Sequence, residues 1–517
     1  MQNKKIMARV YSNRLSEYSH ENGGRVLLLF LLFLLAIYSF ATAGFSSFAV
    51  ICLLPIVVLY IYSAFRWKML TFWTLIIINY LIQMKDISMS LPIPMSLPNE
   101  LLQLLLLAIA IIDVRQTPHF ERTANMMLFA LIIWCGFCTI EVLNNTCNLG
   151  INISAWYTGA RMMAFQLLYI YLVFTLYINT PKVLNNYLKL WAVLSLFSAF
   201  WVWHQEYIGF TVAENIWMET KGRATHIING GSLTRFFSTF SDAANYGCNA
   251  AGTAAAFTII AITSKIRFNQ IFFGLSSILV IWGMFQSGTR TAIFCLAAGL
   301  LVYVFLSKSV KIAVPFSIVF VIFAFILVFT TIGDGNQQIR RMRSAFNKDD
   351  ASSNVRDINQ EVMKKHIQDA PWGIGIGMGM DNVPANNKYR RLATIPPDSE
   401  YVFIWLRTGP IGITVFIITM LIMLGGACRI VLFKLKNKSL IGIGGGLCSA
   451  FVAIQLGGYG NQVLMQFPNC LIFYGGLSIV YILPYIEPEW IKYESELLSK
   501  QEEKKRIKLE KKLASRV

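Results

Sequence analysis

The chain has 517 residues, 56% of them hydrophobic and only 14% charged, with a formal net charge of +18. With a mean hydropathy of +0.55 this excludes a soluble globular domain. The excess of Lys and Arg reads as cytoplasmic loops and a tail beside anionic lipid, and not as a nucleic-acid surface.

Apolar runs long enough to cross about 30 Å of hydrocarbon as helices recur from end to end. In chain order the expected spans are 26–43, 47–65, 69–84, 98–114, 125–143, 162–179, 185–205, 244–264, 269–287, 291–307, 312–332, 400–427, 440–459 and 466–485. The pattern predicts an all-α polytopic integral membrane protein of about 14 transmembrane helices. A cytoplasmic segment, 1–25, precedes a membrane domain, 26–485, and a cytoplasmic tail of mixed charge, 486–517, follows it. The first apolar run has no small-residue cleavage site and is expected to stay as an anchor.

Every second connection is basic. Lys4, Lys5, Arg9 and Arg14 precede the first span, Arg66 and Lys68 follow the second, and Arg115 and Arg122 follow the fourth. Lys182, then Lys265 with Arg267, then Lys308 with Lys311 continue the alternation, and Arg429, Lys434, Lys436 and Lys438 follow the twelfth. Positive residues stay inside, so both termini are expected in the cytoplasm. Most of the nine cysteines fall within spans. Cys135 and Cys138 form a C-x-x-C inside an apolar helix, where packing is expected rather than metal or redox chemistry.

Three outer segments are substantial: 144–161, 206–243 and a polar loop at 333–399. Within the loop, 354–369 places Ile358, Val362 and Ile367 at helical spacing and predicts an amphipathic helix ended by Pro371. The glycine run Gly373-Ile374-Gly375-Ile376-Gly377-Met378-Gly379 follows no strand, so it is no dinucleotide fingerprint. It reads as a tight backbone turn that lets a bulky substrate approach. Asp349 and Asp350 are read as solvated. No His, Cys or Asp cluster has metal-ligand spacing, so neither a metal nor a cofactor is expected.

Four arginines, Arg161, Arg235, Arg290 and Arg356, fall on the loop's side of the predicted topology. Arginines gathered at one membrane face suit an anion, because a guanidinium stays charged and can bind phosphate oxygens bidentately. Arg235 precedes a span in Leu233-Thr234-Arg235-Phe236-Phe237-Ser238, and Arg290 sits in the very short turn Ser287-Gly288-Thr289-Arg290.

Four segments, in this order, resemble the O-antigen ligase and Wzy-type O-antigen polymerase superfamily. Arg235 to Phe240 is similar to the family's first arginine motif, and Ser287 to Arg290 to its Ser-x-Ser-Arg turn. Arg356 through Pro371-Trp372-Gly373-Ile374-Gly375 resembles the loop's Arg, amphipathic helix and Pro-x-Gly-x-Gly. Asp398-Ser399-Glu400-Tyr401 through Gly409-Pro410-Ile411-Gly412 resembles the His-Asn-x-Tyr and Gly-x-x-Gly segment. One departure matters: Asp398 stands where ligases of the family carry a His taken as catalytic.

The resemblance implies a GT-C-like membrane glycosyltransferase with one large extracytoplasmic loop over its site. It implies transfer of a glycan from an undecaprenyl-diphosphate-linked donor at the periplasmic face of the bacterial inner membrane. The acceptor is another lipid-linked repeat in a polymerase, or lipid A-core in a ligase. Membrane lipids and other polysaccharide assembly proteins are the remaining partners it implies. Arg235 and Arg290 then stabilise the diphosphate leaving group without a metal, and Asp398 or Glu400 takes the acceptor proton. Arg161 and Arg356 become phosphate or glycan contacts, and Trp372 and Tyr401 stack on sugars. Asp398 also reads as a helix N-cap. A lipid-linked oligosaccharide flippase is the rival from another class, and an inactive membrane scaffold is a third.

Overall fold

The computed structural model describes residues 23–90, 94–113, 119–228, 233–307, 337–343, 351–395 and 397–514, with scattered positions between 314 and 335. The chain forms two compact units, Met1–Thr71 and Phe72–Val517. In the first, the spans expected at 26–43 and 47–65 run as one helix, Gly23–Arg66. Between them the sequence offers only Gly44 with Ser46 and Ser47 as breakers. A lone glycine costs a helix only about 1 kcal/mol, so the helix continues.

The second unit is helical apart from a short hairpin among its described residues. Ile227–Ile228 pairs antiparallel with Leu233–Thr234, Ile227 opposite Thr234. Eight helices among the described residues are long and apolar enough to cross a membrane: Met126–Leu143, Ile153–Tyr177, Pro181–Tyr207, Ala243–Thr263, Arg267–Gln286, Glu400–Lys434, Lys438–Gly460 and Cys470–Ile507. Each overlaps one predicted span. The runs at 69–84, 98–114 and 291–307 form the shorter apolar helices Lys68–Leu81, Ser96–Ile112 and Arg290–Leu306. The run at 312–332 is described only at scattered positions. The chain is thus an all-α polytopic membrane protein. The last helix passes 485 without a break and reaches Ala514, because the Glu, Lys and Arg of the tail are good helix formers.

Ala243–Thr263 is the central helix, buried along nearly all its length. Lipid gives helices no hydrophobic reason to associate, so close packing of small residues takes over. Lys438–Gly460 carries Gly442, Gly444, Gly445 and Gly446 on this account. A Cβ on Gly446 would stand 3.1 Å from the Ala256 carbonyl oxygen, and one on Gly299 2.9 Å from that of Ser449.

Hydrogen bonds tie the helix ends into two clusters. At one end Lys265 pairs with Glu494 at 3.0 Å, Asn437 Nδ2 donates to Glu494 at 3.0 Å, and the Lys436 N–H donates to Glu487 at 2.8 Å. The other end gathers all three predicted outer segments and a fourth, 461–469, which overlaps the start of the span expected at 466–485.

The loop 333–399 folds around a small core of its own. Its described helices are Gln337–Arg343, Ala351–Ile367 and Arg390–Thr394. Met363, Ile367, Ala370, Ile374, Met378 and Val383 pack with Cys147 from the first outer segment and with Leu406. The predicted amphipathic helix is present; Met363 and Ile367 towards its C-terminal end are buried, and Ile358 is exposed. Asp349 and Asp350 lie outside the described residues.

Candidate active site

The Ser287–Thr289 turn joins the helices Arg267–Gln286 and Arg290–Leu306 and is buried. Gly288 adopts φ +57°, which suits a residue without a Cβ. The turn is seated against the central helix, where Thr289 Oγ1 donates to the Ala243 carbonyl at 2.8 Å. A Cβ on Gly247 would lie 2.4 Å from Ser287 Oγ.

Arginines close on this turn from three segments. Arg235, set by the hairpin strand before it, donates from Nε to the Ser287 carbonyl at 3.2 Å and from Nη2 to Thr289 Oγ1 at 3.1 Å. Its Nη1 donates to the Thr225 carbonyl at 3.0 Å. Arg341, from the large loop, donates from Nε to the Gly288 carbonyl at 2.8 Å. Arg290 is the first residue of the following helix and is half-buried. The orphan N–H groups of that helix start add partial positive charge.

The segment 458–464 links this turn to the start of the helix Glu400–Arg429. Asn461 Nδ2 donates to Thr291 Oγ1 at 3.2 Å, and the Leu464 N–H donates to Glu400 Oε2 at 3.0 Å. Ser399 Oγ donates to the Gly458 carbonyl at 3.0 Å. Buried asparagines anchor the segment beyond: Asn469 Nδ2 donates to Asn245 Oδ1 at 2.5 Å, and Asn249 Nδ2 to Asn469 Oδ1 at 2.8 Å. Arg235, Arg290, Ser399 and Glu400, 165 positions apart in sequence at the extremes, thus belong to one hydrogen-bonded assembly. Asp398 is exposed beside it, whereas Glu400 is buried. The N-cap of the helix is Ser399, whose side chain makes no capping bond, so Asp398 stands one residue before the cap position expected for it.

The other predicted residues fall elsewhere. Arg161 pairs with Glu100 at 3.0 Å and donates to Ser96 Oγ at 2.9 Å, so its charge is met inside the protein. The Tyr401 hydroxyl donates to the carbonyl and Oε1 of Gln455 at 3.1 and 3.0 Å, and its ring meets Phe416 edge-on. It is half-buried, with its hydroxyl already engaged by Gln455. Trp372 is 45% exposed and stacks on Phe137 with centroids 6.1 Å apart. Arg356 lies in the helix Ala351–Ile367, and its side chain is outside the described residues.

The glycine run corrects its sequence reading. It packs against the protein's own backbone and leaves no gap for a substrate there. Pro410 has no N–H to return to the Leu406 carbonyl, four residues back, and the helix breaks at Gly409 with φ +68°. The Ile374 N–H takes the Leu406 carbonyl at 3.0 Å, and the Gly375 N–H takes that of Arg407 at 3.0 Å. A Cβ on Gly373 would meet the Arg407 carbonyl at 2.5 Å, and one on Gly377 would meet the Ala155 carbonyl oxygen at 1.8 Å.

Three residues outside the predicted set lie at or beside the site. Arg341 is one of three arginines, with Arg340 and Arg343, in the helix Gln337–Arg343, and which of them reaches the turn depends on how the loop folds. Lys85 is buried, its Nζ 2.6 Å from the Ser241 carbonyl and 3.9 Å from the Trp217 ring centre. Burial pulls its pKa down to about 8, against the attraction of Asp242 and Glu214. His226 is buried as well, and its Nε2 accepts the Ala243 N–H at 3.1 Å. Nδ1 therefore carries the proton and faces the Gly222 carbonyl at 3.1 Å. Burial, reinforced by Arg235, lowers its pKa to about 4. Among the described residues no group of three or more His, Cys, Asp or Glu is placed to hold a metal ion.

No curated protein matches the chain. Residues 275–417 match the family model described as O-antigen ligase. That stretch holds the Arg290 turn, the whole large loop and the segment from Asp398 to Gly412, and it begins after Arg235. With the arginine turn and the folded loop at one end of the bundle, the match over residues 275–417 supports the resemblance to the O-antigen ligase and polymerase superfamily.

Proposed function

We propose that the chain transfers a glycan from an undecaprenyl-diphosphate-linked donor to an acceptor sugar, as an O-antigen or related surface-polysaccharide polymerase. The carrying observation is the convergence of Arg235, Arg290 and Arg341 on one buried turn, joined through 458–464 to Ser399 and Glu400, with Asp398 next to them in the chain. Charge develops on the leaving diphosphate, and fixed guanidinium groups stabilise it without reorganising. Arg290 contacts the diphosphate, Arg235 and Arg341 hold the turn that presents it, and no metal is required. Asp398, exposed at the mouth, accepts the proton of the attacking hydroxyl. Direct displacement inverts the anomeric centre.

The family match gives a flippase no support. Asp398 in place of the ligases' His favours polymerase over the ligase reading, in which lipid A-core is the acceptor. The site faces the periplasm, the protein sits in the bacterial inner membrane, and both termini are cytoplasmic. A reporter after Lys438 is expected inside and one near Asn386 outside. Deletion of the gene with analysis of surface glycan tests the reaction. Single repeats left on the acceptor are expected of a lost polymerase. Loss of all attached repeats, with lipid-linked polymer accumulating, means ligase, and unchanged glycan refutes both. Transfer by the purified protein is expected to survive chelation by EDTA.

A further inference from the structure

The first outer segment and the large loop enclose an open cavity of about 250 Å³, lined by Glu141, Asn144, Asn145, Thr146 and Trp372 with Ile140 and Leu143. It is smaller than the about 300–1,000 Å³ of drug-sized pockets. It has room for one ring and not for a prenyl diphosphate. Glu141 is the only ionisable side chain in its lining, so a phosphate is disfavoured there and a neutral, hydroxyl-rich group is favoured.

The walls are built before anything binds. Trp372 is held by its stack on Phe137 and by Asn144, whose Nδ2 donates to the Trp372 carbonyl at 2.8 Å. The same amide donates to Glu141 Oε2 at 2.8 Å, while Asn144 Oδ1 accepts from Thr146 Oγ1 at 2.7 Å. Glu141 is buried as a residue, and its Oε1 accepts no hydrogen bond among the described residues. Asn145 Oδ1 is taken by the Gly150 N–H at 2.8 Å, which leaves its exposed amide N–H groups for a ligand. An aromatic face beside a carboxylate acceptor and an amide donor matches a pyranose, which has an apolar C–H face and a rim of hydroxyls.

We propose that this cavity is a sugar subsite that takes one uncharged pyranose ring of the glycan, stacked on Trp372, with hydroxyls on Glu141 Oε1 and the Asn145 amide. It deepens the glycan-transfer reading and rests on it for the ligand's source. The lipid diphosphate stays at the arginine turn.

The test is saturation-transfer NMR on the purified full-length protein, in a detergent without a sugar headgroup. The probes are the methyl glycosides of glucose, galactose, mannose, rhamnose and N-acetylglucosamine. At least one is expected to receive saturation, strongest on the C–H groups of one ring face. Trp372→Ala is expected to weaken its binding about tenfold, and Glu141→Gln to weaken it as well. Trp372→Phe keeps the stack and is expected to retain binding, which shows that the loop stays folded. Binding is expected to be unchanged in Arg290→Ala. No saturation in any probe, or equal binding in wild type and Trp372→Ala, overturns the subsite. Sugar binding lost with Trp372→Ala in a protein that transfers no glycan keeps the subsite and removes the transferase reading.

Discussion

Arg235 is the sharpest test of how the site is built. Its three donors hold the Ser287 carbonyl, Thr289 Oγ1 and the Thr225 carbonyl at 3.2, 3.1 and 3.0 Å. Hydrogen bonds that involve a charged partner contribute about 1.5–3 kcal/mol each. The Thr225 bond is exposed and counts for little, and Thr289 Oγ1 keeps its own bond to Ala243 when Arg235 is removed. The Ser287 carbonyl loses its guanidinium partner. Arg235→Ala should therefore destabilise the turn by about 2–4 kcal/mol. Arg235→Lys should recover about half of that, because one ammonium cannot reach both the Ser287 carbonyl and Thr289. If Arg290 depends on the turn for its position, even 2.7 kcal/mol lost from the transition state slows transfer about a hundredfold. The assay pairs thermal unfolding of the purified protein with glycan transfer. The expected order is wild type, Lys, Ala in both measurements. If Arg235→Ala abolishes transfer while the unfolding midpoint stays at the wild-type value, the donors serve the substrate and not the turn, and the scaffold reasoning is wrong.

Arg290→Ala should nearly abolish transfer at normal protein abundance, with Arg290→Lys recovering only part, as assayed by surface glycan; full activity in the alanine variant returns Arg290 to a structural role. Asp398→Asn should fold normally and lose at least about tenfold in rate, because an amide is no base. Glu400→Ala should instead lower stability by about 1–3 kcal/mol by orphaning the Leu464 N–H, so reversed effects in unfolding and rate assays would exchange their roles. His226 gives a pH signature: its folded pKa, near 4, lies below the ordinary imidazole value of 6.5. The unfolded chain binds the proton more readily, so this contribution to stability is intact above pH 6.5 and is lost as pH falls towards 4. The unfolding midpoint should fall across that window, and less steeply in His226→Gln. Gly373→Ala should undock the loop, since φ +72° and a carbonyl 2.5 Å away both oppose a Cβ, whereas Gly335→Ala, with nothing within 4 Å, should be tolerated. Limited proteolysis of the loop distinguishes the two.

The class of the protein was legible in its sequence because membrane insertion is a local requirement. Each helix must satisfy its own backbone within hydrocarbon, so the apolar runs at 125–143, 244–264 and 440–459 mark their helices unaided. The loop's helix at 354–369 and its end before Pro371 could also be read from residue order. Tertiary structure decided what each polar group faces, since burial and partner are set by distant segments. It gave Arg161 to Glu100 and Tyr401 to Gln455, and it set Glu400 beneath the Leu464 N–H. It turned the glycine run into the partner of a helix that Pro410 interrupts. It also brought in Arg341 and the segment 458–464, because contacts that span 53 to 170 residues leave no periodicity along the chain.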